Sequence, residues 1–267
     1  MVPGSWLNPA KAAADAAVRL ICLPYAGAGA GAYRDWPALL PSRVGVLAAQ
    51  PPGRENRFTE QPIAWLPTYV AELADAARPL LDRPYAIFGH SIGARVGFEL
   101  CRLLRREGQP LPARLYLSGC PAPHLPPPPP RWNLPDEQLI DDLRELGGTP
   151  PEVFELPALM ALFLPTLRAD FALVETYPHV EEAPLPVPIR AFAGRADPEA
   201  PPDSLRSWAP YTSAWFEAHD FDGDHFFLHE QRAALLQLLA DDLAGLGAAT
   251  DAAAPSSDHA DDAASGV

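Results

Sequence analysis

The sequence predicts an α/β fold in which helices cover both faces of a mostly parallel sheet. Short, almost continuously apolar runs bounded by glycine or proline alternate with stretches in which apolar residues have helical spacing. Such runs are typical of strands buried on both faces, and their alternation with helices is typical of a doubly wound sheet. A chain of 267 residues is long enough to bury one large core, so we expect one domain with additions.

The elements of this domain are predicted in chain order. The strands are Val18–Leu23, Val44–Ala49, Tyr85–Gly89, Arg114–Ser118, Ile189–Ala193 and Ser213–Glu217. The helices between and after them are Thr68–Leu81, Ile92–Glu107 and Gln231–Leu243. These elements assign the core domain to residues 18–120 and 186–245.

Residues 121–185 interrupt the alternation because they contain no strand signal. The segment begins with a proline-rich connector, which favours an extended chain. Helical spacing follows in Pro135–Leu146 and again in Leu156–Tyr177, where we expect two helical pieces split at Pro165. The pattern predicts a helical insertion that acts either as a lid over a site or as a packing subdomain.

Both ends of the chain are expected to lie outside the core. Residues 1–17 are rich in alanine without apolar periodicity, which predicts a flexible N-terminal segment. Residues 246–267 consist mostly of alanine, aspartate and serine, which predicts a disordered acidic tail.

Composition excludes several classes of function. The net charge is −14 and no basic stripe occurs, so nucleic-acid binding is not expected. No apolar stretch has the length of a membrane span, and no signal peptide precedes the first strand, so we expect a cytoplasmic protein away from membranes. The cysteines Cys22, Cys101 and Cys120 are far apart, which predicts neither disulfides nor a metal site.

The sequence Gly89-His90-Ser91-Ile92-Gly93 matches G-x-S-x-G and lies between a predicted strand and a predicted helix. A nucleophilic serine requires this context, because the tight strand–turn–helix connection exposes its hydroxyl above the sheet. We therefore predict Ser91 as a catalytic nucleophile. The alternative is a serine that caps a helix in a glycine-rich turn.

A serine hydroxyl needs a base, and the base needs an orienting acid. His225 is the predicted base because it lies between the last strand and the last helix, with His219 and His229 as alternatives. Asp197 is the predicted acid because it follows a strand by a short turn. Asp222 remains the alternative acid, and an Asx turn before proline is the alternative role of Asp197.

Two backbone N–H groups must stabilise the oxyanion. One is expected from Ile92, the residue after the nucleophile, and the other from the loop Pro24–Gly31 after the first strand. The glycines of that loop could suggest a dinucleotide site, but G-x-G-x-x-G is not met because position 32 is alanine.

Several sequence segments together resemble one family, the type II thioesterases, which are stand-alone editing hydrolases of polyketide and nonribosomal peptide assembly lines. These segments are Leu23–Trp36, Pro51–Phe58, Gly89–Ala94, Leu134–Val153, Leu167–Tyr177 and Gly223–Leu228. Two positions depart from the family pattern, since Ile92 stands where methionine is usual and Asp224 where glycine is usual.

The resemblance implies an α/β-hydrolase fold with a helical lid and the hydrolysis of acyl thioesters on phosphopantetheine arms. Acyl or peptidyl carrier proteins would be the partners, Ile92 and Ala26 would hold the oxyanion, and no metal or other cofactor would be needed. The enzyme would act as a monomer in the cytoplasm. Two alternatives remain: a carboxylesterase or lipase acting on small oxyesters, and a non-catalytic module that binds carrier proteins.

Carrier proteins of this kind are typically acidic, so docking to a chain of charge −14 would need local positive patches. The candidate docking residues are Arg34, Arg54 and Arg57 in loops after the first two strands, with Arg131 and Arg168 in the insertion. The alternative is that these are ordinary solvated arginines.

Overall fold

Seven strands form one sheet in the computed structural model, which describes residues 6–9, 13, 15–126 and 129–246. The strands are β1 Leu7–Asn8, β2 Val18–Leu23, β3 Val44–Ala49, β4 Tyr85–His90, β5 Arg114–Ser118, β6 Ile189–Gly194 and β7 Phe216–Phe221. Their order across the sheet is β1-β3-β2-β4-β5-β6-β7, and every neighbouring pair is parallel except β1 with β3. The prediction of a mostly parallel sheet is confirmed.

Helices cover both faces of this sheet. The α-helices in the described residues are α1 Trp36–Leu39, α2 Leu66–Ala77, α3 Ile92–Arg106, α4 Asp136–Leu146, α5 Pro151–Phe154, α6 Pro157–Glu175, α7 Pro202–Leu205, α8 Phe227–Glu230 and α9 Arg232–Ala244. Short 3-10 helices occupy Ala30–Tyr33, Glu55–Arg57, Arg78–Leu80 and Arg206–Tyr211. Helices α2 and α3 pack on one face and α1 and α9 on the other, so that each face of the central strands is buried in its own apolar cluster.

The edge strand β7 begins three residues later and ends four residues later than its prediction. The predicted strand Ser213–Glu217 followed an apolar run, whereas the observed strand is Phe216–Phe221. Because β7 pairs on one side only and is mostly half-buried, it accepts polar residues such as His219 and Asp220. Its position is set by pairing with β6, where Ile189 lies opposite Phe216.

Residues 6–9 lie against the sheet domain, where the sequence predicted a flexible N-terminal segment. Leu7–Asn8 pairs antiparallel with β3, and Trp6 and Leu7 are buried. The ring of Trp6 packs edge-on against Tyr69 of α2 at 4.9 Å, and the guanidinium of Arg57 lies over it. The prediction was wrong for these residues because two apolar side chains, without any periodicity, are enough to cover the edge of β3.

Helices α4, α5 and α6 lie between β5 and β6, within the predicted insertion. Helix α6 is continuous, so the predicted break at Pro165 was wrong. Pro165 lies on the exposed side of α6, and the carbonyl of exposed Ala161, which loses its helical partner, can be hydrated. Buried Leu164 and Thr166 on either side hold the chain in place.

By length and composition alone, α6 is also apolar enough to cross a membrane. Half of this apolar stretch of α6 is buried inside the molecule, as in the core helix of a folded domain. The predicted acidic tail, apart from Leu246, lies outside the described residues.

Candidate active site

Ser91 occupies the turn between β4 and α3 and has a positive φ of 54° with ψ of −121°. This backbone conformation is rare for residues that carry a β-carbon. A β-carbon at Gly89 would lie 2.1 Å from the carbonyl oxygen of Gly93, and one at Gly93 would lie 2.2 Å from that of Leu23. Only glycine therefore fits at positions 89 and 93, two residues before and after the serine. The turn has the geometry that the motif predicts.

His225 and Asp197 form a buried pair. His225 lies between β7 and α8, Asp197 follows β6, and the His225 Nδ1–Asp197 Oδ2 distance is 2.9 Å. The other carboxylate oxygen accepts the backbone N–H groups of Glu199 and Ala200, so Asp197 both forms an Asx-type turn and contacts the histidine. An ionised carboxylate only accepts hydrogen bonds, so Nδ1 carries the proton and Nε2 is the atom that can take another.

Two residues that the sequence reasoning missed shape the space around His225. Gly119 follows β5 with φ of 58°, and a β-carbon there would lie 2.7 Å from Cε1 of His90 and 3.3 Å from Cε1 of His225. The rings of His90 and His225 are 5.1 Å apart, and Nδ1 of His90 is 2.9 Å from Oγ of Ser118. Burial, reinforced by His225 and His229, holds the pKa of His90 well below its ordinary value, so its ring is neutral at pH 7.

The alternative base and acid residues lie elsewhere. His219 is on the edge strand β7, and Asp222 is exposed and pairs with Arg195. Nε2 of His229 is 3.1 Å from the hydroxyl of Tyr25. Among the described residues, none of these three candidates lines the cavity that contains Ser91.

The predicted oxyanion donors flank the serine. Ile92 is the first residue of α3, where an N–H group has no acceptor within the helix. In the loop after β2, the N–H of Gly27 is already engaged, since it donates to Oδ2 of Asp170 at 2.7 Å. Ala26 precedes it and packs against both the sheet core and the apolar cluster of the insertion. The structure therefore leaves Ile92 and Ala26 as the candidates that the sequence named.

A cavity of about 370 Å³ adjoins Ser91 and His225. The segment after β5, the C-terminal end of α6 and the residues that follow α6 form most of its wall. Its apolar lining includes Pro121, Ala122, Pro123, Leu125, Phe171 and Val174. Its charged and polar lining includes Arg95, Arg131, Glu175, His179 and Glu199. Within the described ranges, no group of three His, Cys, Asp or Glu side chains could hold a metal ion.

A buried ion pair joins the insertion to the sheet domain. Oδ2 and Oδ1 of Asp170 on α6 accept Nη1 and Nη2 of Arg54 at 2.6 and 2.8 Å, and Oδ2 also accepts the N–H of Gly27. Thr166, one helical turn earlier, donates to the carbonyl oxygen of Gly53 at 2.8 Å. Helix α6 therefore fixes the loop that contains Ala26. Sequence reasoning missed Asp170, although an acid between apolar residues in the middle of a helix could have indicated a buried partner.

Two of the three docking arginines named from the sequence are buried. Arg54 and Arg57 are 5% and 6% exposed, and their guanidiniums are occupied within the molecule. Arg54 binds Asp170, as above, and Arg57 binds Glu60 and the carbonyl oxygen of Gln50. The expectation that these two residues form a docking patch is therefore corrected. Arg34 is exposed, as a docking residue must be.

Comparison with known proteins identifies the family. A model of the thioesterase domain family matches residues 18–243. The chain is 43% identical over 241 residues to LgrE of Brevibacillus parabrevis, which is named linear gramicidin dehydrogenase, and the match covers 89% of this chain and 92% of LgrE. The loop after β2 lacks the dinucleotide fingerprint, so we transfer no redox activity from that name.

Solved structures agree in fold and family. RedJ, the thioesterase from the prodiginine biosynthetic pathway in Streptomyces coelicolor, is 38% identical with a TM-score of 0.82, covering 86% of this chain and 92% of RedJ. BorB, the type II thioesterase from the borrelidin biosynthetic cluster, is 36% identical with a TM-score of 0.82, covering 91% of this chain and 99% of BorB. With its serine turn, its buried histidine–aspartate pair and these matches over most of its length, the chain belongs to the thioesterase family.

Proposed function

We propose that this chain is a type II thioesterase that hydrolyses acyl thioesters on the phosphopantetheine arms of acyl or peptidyl carrier proteins. It would remove aberrant or stalled acyl groups during polyketide or nonribosomal peptide synthesis, as a monomer in the cytoplasm. The observation that carries the proposal is the buried 2.9 Å contact between His225 and Asp197 beside the cavity that contains Ser91. The pathways named for RedJ and BorB support the choice of substrate.

The proposed reaction proceeds through an acyl-enzyme. Nε2 of His225 takes the proton of Ser91 as Oγ attacks the thioester carbonyl, and Asp197 orients the imidazole and stabilises its charged form. The N–H groups of Ile92 and Ala26 hold the oxyanion. The C–S bond then breaks and the thiol departs with the proton from His225. Water, deprotonated by the same nitrogen, attacks the acyl-enzyme, and the acid and Ser91 are released.

The proposal requires no metal ion or diffusible cofactor, because a thiol with an ordinary pKa of about 8.5 is a good leaving group. We also propose that α4, α5 and α6 act as a lid, since α6 and the segment before α4 form much of the cavity wall. Of the arginines considered for docking, we retain Arg34. Arg131 and Arg168 pair with Glu199 and Asp136, which leaves them less available to a partner.

One acyl group presented in three forms tests the proposal. The forms are an acyl-carrier protein, a minimal N-acetylcysteamine thioester and the matching oxyester. We expect the carrier substrate to have the highest kcat/KM and the oxyester the lowest. An oxyester hydrolysed as fast as the thioester would favour the carboxylesterase alternative.

A serine-reactive phosphonate separates both enzymes from a non-catalytic binding module. We expect it to label the wild type at Ser91 and to leave a folded Ser91→Ala variant unlabelled. Absence of label on the wild type, together with retained binding of carrier protein, would favour the binding module.

A further inference from the structure

Arg95 lines the same cavity as Ser91 and His225, and it forms no ion pair with any carboxylate of the residues that the structure describes. It follows the serine by one turn of α3, about 6 Å along the helix axis. Its Nη2 lies 3.4 Å from the carbonyl oxygen of Pro121, and its Nε is buried without a hydrogen-bond partner. The thiol of Cys120 also lies beside Arg95, and because burial raises the pKa of this thiol it supplies no negative charge to the guanidinium.

His179 provides a second unsatisfied nitrogen in the cavity wall. Its Nε2 is 3.2 Å from the hydroxyl of Tyr211, while Nδ1 is buried without a partner. Burial, together with the charges of Arg102 and Arg95, lowers the pKa of His179 and keeps its ring neutral at pH 7. Buried nitrogens without partners are costly, and an oxygen acceptor supplied by a ligand would remove that cost.

The acids around this guanidinium are already engaged. Glu199 forms a two-point ion pair with Arg131, at 2.7 and 2.8 Å. Glu175 accepts two backbone N–H groups from the segment before α4. Glu99, one turn further along α3, accepts Nη1 of Arg102 at 2.7 Å. The charges of Arg95, Arg131, Glu175 and Glu199 in the lining therefore balance, but within the described residues Arg95 itself forms no ion pair with any of these acids.

We propose that Arg95 and His179 form a subsite for an anionic oxygen group on the acyl chain, so that the enzyme favours short acyl thioesters that carry a carboxylate. The proposal rests on the thioesterase function and specifies its substrate class. A phosphate has similar chemistry, but the phosphate of the substrate lies at the far end of the pantetheine arm. Arg95 follows Ser91 by four residues and lines the same cavity, which suits a group on the acyl side.

Two thioesters of nearly equal shape test the subsite. Succinyl-N-acetylcysteamine carries a carboxylate, and the 4-methylpentanoyl thioester places a neutral isopropyl group at the same position. We expect Arg95→Met to lower kcat/KM for the succinyl substrate by about 10- to 100-fold, the usual effect of losing a charged hydrogen-bond donor, and to change the neutral substrate less than threefold. Arg95→Lys should retain part of the preference because it keeps the charge.

The matched control is Arg106→Met, which removes an exposed arginine of the same helix outside the cavity lining and should leave both substrates unchanged. An equal loss on both substrates in Arg95→Met would overturn the subsite, and so would an unchanged succinyl rate. The third arm uses 4-methylpentanoyl-4′-phosphopantetheine. A loss confined to this substrate would mean that Arg95 binds the phosphate of the arm, which also overturns the proposal.

Binding provides a readout that does not depend on turnover. The Ser91→Ala variant should bind the succinyl thioester at least tenfold more tightly than the 4-methylpentanoyl thioester, and Ser91→Ala/Arg95→Met should lose that difference. If the wild type hydrolysed neither thioester, the proposed function would fail, while this binding difference would still decide the subsite. Equal binding of the two thioesters by Ser91→Ala would refute it.

Discussion

At Ser91 the chain holds a β-carbon in a backbone conformation that suits glycine, with φ of 54° and ψ of −121°. Such strain costs of order 1–3 kcal/mol and persists where the surrounding structure enforces it. Here β4, α3 and the flanking glycines enforce it, because they leave the turn no other path. The residue that the proposed reaction needs therefore has a backbone conformation that is energetically unfavourable.

Replacing Ser91 by glycine should separate these two effects. We expect Ser91→Gly to raise the free energy of unfolding by about 1 kcal/mol, since relief of strain outweighs the greater entropy of unfolded glycine. Ser91→Ala keeps the β-carbon and should stay within about 0.5 kcal/mol of the wild type. Urea unfolding measures both, and the idea of strain fails if the two variants are equally stable.

The second residue-scale prediction concerns the acid. Asp197→Asn should lower kcat on the order of 10³-fold or more, because it removes the charge that orients His225 and stabilises its protonated form. Asp222→Asn is the matched control at an exposed carboxylate and should change kcat less than twofold. A larger loss of kcat in Asp222→Asn than in Asp197→Asn would show that Asp222, and not Asp197, is the acid that acts with His225.

The buried ring of His90 should make stability depend on pH. Its pKa in the folded state lies well below the unfolded value of about 6.5, because burial disfavours the charged ring. As the pH falls below about 6.5, the unfolded chain takes up a proton that the folded chain refuses, so the free energy of unfolding falls. The His90 contribution to this slope is at most about 1.4 kcal/mol per pH unit. His90→Asn should give a shallower slope between pH 7 and 5 in urea unfolding, and parallel curves would contradict this origin.

At the scale of elements, the Arg54–Asp170 pair joins α6 to the loops after β2 and β3. Asp170→Asn would leave a buried guanidinium without its counter-charge and should cost about 3–5 kcal/mol of stability. Asp136→Asn removes the acid of an exposed ion pair and should cost less than about 1 kcal/mol. Equal melting temperatures for the two variants would show that the buried pair does not anchor α6.

At the scale of the whole molecule, the negative net charge disfavours association with an acidic partner protein. The net charge of the chain is −14. Residues 246–267 contain four aspartates and no Lys or Arg, so the rest of the chain has a net charge of −10. Two of the expected docking arginines are buried, which leaves repulsion as the long-range interaction with a typical acidic carrier protein.

Added salt should therefore help the carrier reaction. We expect kcat/KM for an acyl-carrier substrate to rise a few-fold as ionic strength increases from about 20 to 200 mM, because salt screens the repulsion. A neutral minimal thioester should not respond. Truncation after Leu246 removes the charge of four aspartates and should weaken the salt dependence. A fall of kcat/KM with salt would instead reveal an attractive patch, and Arg34→Glu would test whether Arg34 belongs to it.

Much of the sheet could be predicted because its signals are local. The strands β2, β3 and β5 have the predicted bounds, since strands buried on both faces need uninterrupted apolar runs. The edge strand β7 lacks that constraint, and its register depends on β6. Likewise, a proline within a helical pattern predicts a break at Pro165. Helix α6 nevertheless continues through this residue because packing holds the turns on either side.

The sequence by itself determined the mostly parallel character of the sheet and the position of Ser91 in a turn between a strand and a helix, because both depend on short local patterns. Only the tertiary structure decided the roles of arginines. Arg54 is bound by a carboxylate 116 residues away, whereas Arg95 forms no ion pair with any carboxylate in the described part of the chain. The physical reason is that a guanidinium has the same charge in every local sequence, and what it can bind depends on which distant groups the fold brings within hydrogen-bond distance.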